Sequence, residues 1–295
     1  MRAAIVINPS KPAARDIRGT LTRLSAANGW EEPLWLDTTA EDPGAGQARE
    51  ALEAGADVVI AAGGDGTVRC VAEVLAGTDT PLGLIPLGTG NLLARNLGLD
   101  VTDTEGAAKV ALLGEARRID VVRSARNDGG SEQLFLVMAG LGFDASIMAD
   151  TDAKLKDKVG WLAYVDAAVR NLQGKGVKAK ISVDGEAVAS RRVRSVMVGN
   201  CGKIQGGVEI FPGAAVDDGI LDLMVVAPGK LGWFGVIAGV IGKGRSKDTS
   251  VEYFRGTSVE VSLEHEDDFQ LDGDHEGKVS TLTARVDPGA LLVRV

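Results

Sequence analysis

The strongest constraint on this chain lies in residues 57–67. After Asp57 come Val58-Val59-Ile60-Ala61-Ala62, and then, without a break, Gly63-Gly64-Asp65-Gly66-Thr67. A wholly apolar run with no polar alternation fits a strand buried on both faces, as parallel strands are. The glycines that follow allow a tight turn, and Thr67 onward reads as a helix to about Leu75. Strand, glycine turn and helix form the unit from which doubly wound α/β sheets are built.

The flanking residues repeat that rhythm. Ala3–Ile7 reads as a strand, and Ala13–Ala27 as a helix with Ile17, Leu21 and Leu24 on one face. Leu34–Leu36 is a strand, Gly46–Ala54 a helix, Pro81–Ile85 a strand, and another helix opens at Asn91. The fold class expected for the first 120 or so residues is therefore α/β with a mostly parallel, Rossmann-like sheet. After Arg118 the texture changes to short strands joined by turns: 119–125, 133–139, 177–183, 191–198, 220–226, 250–254, 258–263, 268–271, 280–286 and 291–295. One helix is expected around Leu155–Leu172. This predicts a β-rich, antiparallel, sandwich-like second domain. The boundary falls at residues 1–122 against 123–286, and two domains suit a length of 295 residues.

Charge and composition narrow the function classes. A formal charge of −9 argues against a nucleic-acid partner, yet it leaves phosphate binding open, because backbone amides do that work locally. Two cysteines, Cys70 and Cys201, fit a reducing compartment and lack metal-ligand partners at useful spacing. The opening MRAAIVINPS reads as a strand, not a signal peptide. No apolar stretch approaches the ~20 residues needed to span a bilayer. These readings predict a cytoplasmic protein with no transmembrane segment. Leu231–Ile241 is the most apolar stretch; it reads as a buried helix, or else as an interfacial one flanked by Lys230, Lys243 and Arg245.

The turn at residues 63–67 carries chemistry. Without Cβ atoms the backbone can approach a polyphosphate, and the helix behind it offers unpaired N–H groups and the positive end of its dipole. Thr67 can cap that helix or bond a phosphate oxygen, and Asp65 can hold magnesium or orient water. A second loop of similar build, Gly88-Thr89-Gly90-Asn91, follows the next strand. Two such loops at the carboxyl ends of consecutive parallel strands would face one crevice. Neither is a Walker loop or a Gly-x-Gly-x-x-Gly fingerprint, which disfavours a Rossmann dehydrogenase.

Together, GGDGTV, PLGTGNLLARNLG and Ile7-Asn8-Pro9 resemble the diacylglycerol kinase catalytic-domain family, which includes soluble bacterial lipid kinases and the sphingosine and ceramide kinases. The likeness continues through Gly142-Phe143-Asp144, residues 158–164, Val198-Gly199-Asn200, residues 211–219 and Gln270-Leu271-Asp272-Gly273-Asp274. The resemblance implies ATP as co-substrate in a cleft between the two domains, with the last strand, 287–295, returning to the first domain. Nucleotide contacts would fall on Thr39, Gly63, Gly64, Asp65, Gly66, Thr67, Val68, Arg69, Gly88, Thr89 and Asn91. A structural Mg²⁺ would sit at Asp218 and the carbonyls of Ala215 and Ile220, oxygen ligands of the kind a hard cation takes. The competing reading of Asp217-Asp218-Gly219 is a hairpin turn.

The resemblance also implies a general base in the Asp272-Gly273-Asp274 segment, where relatives carry Asp-Gly-Glu. Asp274 is one methylene shorter than the usual Glu, which leaves the choice between Asp274 and Asp272 open, with a plain Asp-Gly turn as competitor. Arg69 and Leu92 also depart from the family pattern, which carries Asn and Asp there. The function implied is an ATP-dependent kinase of diacylglycerol or a similar lipid, reached by peripheral contact at the inner membrane face. An NAD kinase-like enzyme and a non-catalytic nucleotide-binding regulator are the alternatives. Open sheet edges in the second domain also admit a homodimer.

Overall fold

The structure is a computed structural model that describes residues 1–126, 132–142, 176–204, 209–227 and 251–295. It divides into two compact units. The first holds Met1–Val121, Val216–Asp218 and Asp287–Val295; the second holds Val122–Ala215 and Gly219–Val286.

The first unit alternates β1 (Ala3–Ile7), α1 (Ala14–Ala27), β2 (Leu34–Asp37), α2 (Ala45–Glu53), β3 (Val58–Gly63), α3 (Asp65–Leu75) and β4 (Leu82–Pro86). Two helices follow, α4 (Leu92–Asn96) and α5 (Thr104–Leu113). The strands run parallel in the order β4-β3-β1-β2. All of β1, β3 and β4 is buried, which accounts for their unbroken apolar character. Ile5, Ile60 and Ile85 point to one face, where Ile17 and Leu21 of α1 and Ala108, Ala111 and Leu112 of α5 cover them. Strand alternation sends Val6 to the other face, and there Gly44, at the start of α2, lies against Val6 and Val71 of α3. The chain leaves β1 for β2 on one side and then crosses to β3 on the other. That reversal of direction at β1 and β3 is where open α/β sheets bind ligands, outside the carboxyl ends of the strands.

The second unit is built from antiparallel pairs. After β5 (Ala116–Arg126), along which the chain passes from the first unit to the second, come β6 (Gln133–Phe135), β7 (Met138–Leu141), β8 (Val177–Val183), β9 (Glu186–Val193) and β10 (Ser195–Gly199). β11 (Leu221–Val226), β12 (Val251–Gly256), β13 (Ser258–Leu271) and β14 (Asp274–Arg294) complete it. The ladder runs β12-β11-β10-β7-β13-β14, while β8 joins β13 at Val259–Leu263 and β9 joins β8. Phe135, Phe269, Leu271, Val198, Leu223, Val261 and Leu282 are among its core residues. Arg191 of β9 pairs with Glu252 of β12 through both guanidinium ends, at 2.9 and 2.5 Å. The last residues of β14 return to the first unit, where Val293 pairs in parallel with Leu82 of β4.

Several strands expected from sequence have different bounds. Residues 133–139 are two strands, because Leu136 and Val137 turn their N–H groups to a carboxylate instead of a ladder. Residues 191–198 divide at Arg194, whose N–H reaches Val226. Segments 258–263 and 268–271 are one strand, with register shifts between Ser262 and Asp267 and between Asp268 and Gln270 that absorb extra residues of the acidic stretch 264–268. Segments 280–286 and 291–295 likewise lie on a single strand, β14. Helix α5 was not anticipated. The expected helix at 155–172 and the apolar segment 231–241 lie outside the described residues.

Candidate functional site

In the first unit, the β3–α3 and β4–α4 loops are fastened to one another. The Leu87 N–H donates to the Gly63 carbonyl at 2.9 Å. The Asp65 carboxylate accepts the N–H groups of Asn91 at 2.8 Å and Leu92 at 2.6 Å, one on each oxygen. Asn91 closes the second loop on itself: its Oδ1 accepts the Gly88 N–H at 2.9 Å and its Nδ2 donates to the Gly88 carbonyl at 2.8 Å. It does so in the left-handed region at φ 48°, which Asn tolerates better than most residues.

The glycines of these loops have different reasons. A Cβ on Gly88 would lie 2.7 Å from the Gly64 Cα, and one on Gly63 would lie 2.6 Å from the Thr67 Cβ, so internal packing explains both. A Cβ on Gly64 would meet only the Gly88 Cα at 3.5 Å, an ordinary contact. The protein's own packing therefore does not require a glycine at 64. Gly64 is also the N-cap of α3, in extended conformation, and as a glycine it puts no side chain over the first N–H groups of the helix. A bare N-terminus presents donors to a ligand.

The remaining candidate nucleotide residues divide by exposure. Thr89 and Thr39 are exposed, Gly64, Asp65, Gly66, Arg69 and Gly88 are half-buried, and Thr67, Val68 and Asn91 are buried. Thr39 lies in the β2–α2 loop, where its Oγ1 accepts the Asp42 N–H at 3.1 Å while the Asp42 carboxylate holds the Gly44 and Gly46 N–H groups ahead of α2. Sequence reasoning overlooked Arg95. Its Nε donates to the Gly90 carbonyl at 2.8 Å, which lays the guanidinium against the second loop, and no other side-chain hydrogen bond or ion pair holds it among the described residues. Its place four residues after Asn91, one turn along the helix, was the available signal.

In the second unit, Asp272 and Gly273 form the two-residue turn between β13 and β14, where Leu271 pairs with Asp274. Both have positive φ, 48° and 94°, the type I′ pattern. The Asp272 side chain is buried and accepts three backbone N–H groups: Leu136 at 2.9 Å on Oδ2, Val137 at 2.8 Å and Met138 at 3.0 Å on Oδ1. The Asp272 N–H in turn donates to the Met138 carbonyl at 2.8 Å. Asp274 is exposed at the start of β14. His275 beside it pairs with Asp268 at 3.2 Å.

Residues 2–124 match the family model of the diacylglycerol kinase catalytic domain, and residues 137–295 match that of the YegS C-terminal NAD kinase beta sandwich-like domain. A Pseudomonas fluorescens protein named "Probable lipid kinase YegS-like" is 35% identical over 309 residues, covering 100% of this chain and 95% of the relative. The chain belongs to the diacylglycerol kinase family of lipid kinases. The diacylglycerol kinase of Bacillus subtilis is 30% identical over 283 residues, covering 94% of this chain and 90% of that one. Among solved structures, a diacylglycerol kinase of Bacillus anthracis superposes with a TM-score of 0.74 at 25% identity, covering 99% of this chain and 96% of that one. An NAD kinase of Archaeoglobus fulgidus in complex with ATP shares the fold, with a TM-score of 0.56 at 16% identity.

Family membership makes the chain a kinase homologue and raises the question of magnesium. In the 215–220 turn, Asp217 is taken by Arg117 at 2.5 Å, while the Asp218 side chain is exposed. Among the described residues no cluster of three His, Cys, Asp or Glu side chains forms a metal site. A magnesium held by this diacylglycerol kinase homologue at that turn would take Asp218, the carbonyls of Ala215 and Ile220, and waters. That all-oxygen set suits a hard cation.

Proposed function

We propose that this protein is an ATP-dependent lipid kinase that phosphorylates a hydroxyl of diacylglycerol or a similar lipid. The observation that carries the reading is the pair of fastened loops at the carboxyl ends of β3 and β4. They leave Gly64 without a packing reason to be glycine, and they hold the Arg95 guanidinium alongside. The backbone at Gly64 and the N-terminus of α3 receive the polyphosphate, Thr89 and Thr39 supply hydroxyls at the rims, and Arg95 supplies a cation.

In this reading the proton acceptor is Asp274. The lipid hydroxyl oxygen forms a bond to the γ-phosphorus as its proton passes to the Asp274 carboxylate; the bond from the γ-phosphorus to the bridging oxygen breaks, and ADP leaves. Both Asp272 oxygens face backbone N–H donors, so Asp272 holds structure. Asp65, with one loop N–H on each oxygen, positions the second loop. Magnesium, bound with ATP, would supply positive charge to offset that of the phosphate groups. In this reading the lipid is met at a bilayer surface; among the described residues no helix is long and apolar enough to cross a membrane.

The test is to incubate the protein with [γ-³²P]ATP and a total lipid extract, and separately with NAD, and to identify the labelled product by mass spectrometry. A labelled lipid phosphate supports the proposal. Labelled NADP with no labelled lipid would replace it with the nucleotide-kinase reading.

A further inference from the structure

An Asp-Gly pair supplies the two positive φ angles that a type I′ turn requires. This one is pinned from beneath. Besides the three amides on Asp272, the Gly273 N–H donates to Oε1 of Gln270 at 2.8 Å. Gln270 is 2% exposed, and it sits on β13 directly opposite Gly140 of β7. A Cβ on Gly140 would lie 2.9 Å from the Gln270 Nε2 and 3.3 Å from its Cγ. The missing side chain at 140 is therefore what lets the Gln270 amide lie flat across β7 and reach the turn.

We propose that Gln270 is a positioning residue for Asp274, fixing the Asp272–Gly273 peptide, one residue ahead of the backbone from which the Asp274 carboxylate projects. The proposal deepens the reading of Asp274 as proton acceptor and rests on it. Gly273 immediately precedes Asp274, so an N–H held at Gly273 restrains the backbone that aims the carboxylate. An aspartate has one fewer rotatable bond than a glutamate with which to correct a misplaced backbone. A short carboxylate on a firmly held turn is a coherent arrangement, whereas the same turn left loose would carry the acceptor out of reach.

The test compares Gln270→Met, which keeps volume and removes the acceptor, with Gln270→Glu, which keeps an oxygen for the Gly273 N–H. Melting temperature, ATP KM and kcat are measured for each, with Asp274→Asn as control and Asp274→Glu added to the Met variant. Gln270→Met is expected to lower kcat by about ten- to a hundredfold with ATP KM unchanged. Gln270→Glu should retain most of kcat, and Asp274→Glu should recover part of the loss through its longer reach. The proposal is overturned if Gln270→Met keeps wild-type kcat, or if Met and Glu variants lose kcat equally while melting lower. If Asp274→Asn itself turns over at the wild-type rate, the acceptor reading fails first and Gln270 is only a hairpin anchor.

Discussion

Asp65 and Asn91, 26 positions apart, are joined by a 2.8 Å bond from the Asn91 N–H to the Asp65 carboxylate, so the first loop caps the helix that follows the second. A carboxylate facing two amides cannot be replaced by an amide side chain without turning an N–H toward an N–H. Asp65→Asn is therefore expected to cost about 1–3 kcal/mol of stability and to weaken ATP binding with it. Thermal melts and calorimetric titration with Mg·ATP check this. An unchanged melt with lost activity would instead assign Asp65 to metal or water.

Gly64 separates packing from ligand approach. The backbone there is extended, at φ −91° and ψ −174°, and a Cβ meets only an ordinary contact. Gly64→Val should fold with a melting temperature close to wild type and lose ATP binding in the same titration. Gly88→Ala, whose Cβ would lie 2.7 Å from the Gly64 Cα, should lower the melting temperature instead.

Much of the first unit was legible because its signals are local. The apolar run at 58–62, the glycines behind it and the repeating rhythm of strand and helix all fall within a few residues of one another. What could not be read depends on distant partners. The break between β6 and β7 comes from Asp272, 136 positions after Leu136. The fastening of the two phosphate-loop candidates through Asp65 and the laying of Gln270 over Gly140 have no local pattern either. The acidic run 264–268 concealed that β13 is one strand, since a register shift takes up the residues that break the alternation. Helix α5 buries Ala107, Ala108 and Ala111, side chains too small to stand out as an apolar stripe.

Magnesium gives a third prediction. If Asp218 anchors a cation with the Ala215 and Ile220 carbonyls, a chelator should lower the wild-type melting temperature, and Asp218→Ala should melt low with or without chelator. A wild-type melt indifferent to chelator, together with an unaffected variant, would leave a hairpin turn.

Asp184 supplies a pH dependence in the second unit. Its carboxylate accepts the Thr257 hydroxyl, the Ser258 N–H and the Thr257 N–H, each at 2.8 Å, and these hold its pKa below the usual aspartate value. A folded value below the unfolded one, about 3.9, means the contribution to stability is present above that pH and fades as pH falls through the folded value. Asp184→Asn keeps a residue suited to φ 50° and removes the charge. It should melt lower than wild type at pH 7, with the gap closing below about pH 4. A gap that stays constant from pH 7 to pH 3 would contradict this account.

The central claim is that the chain moves phosphate from ATP to a lipid, with Asp274 taking the proton. The direct measurement is the rate at which label from [γ-³²P]ATP appears in diacylglycerol held in phospholipid vesicles, with wild type and Asp274→Asn side by side and ATP affinity determined for both. The account expects labelled lipid phosphate from the wild type, and from the variant a rate lower by roughly 10²–10⁴ at nearly equal ATP affinity. Labelling at the same rate by both proteins would remove Asp274 from the chemistry, and ATP binding without any labelled lipid from the wild type would contradict the kinase assignment itself.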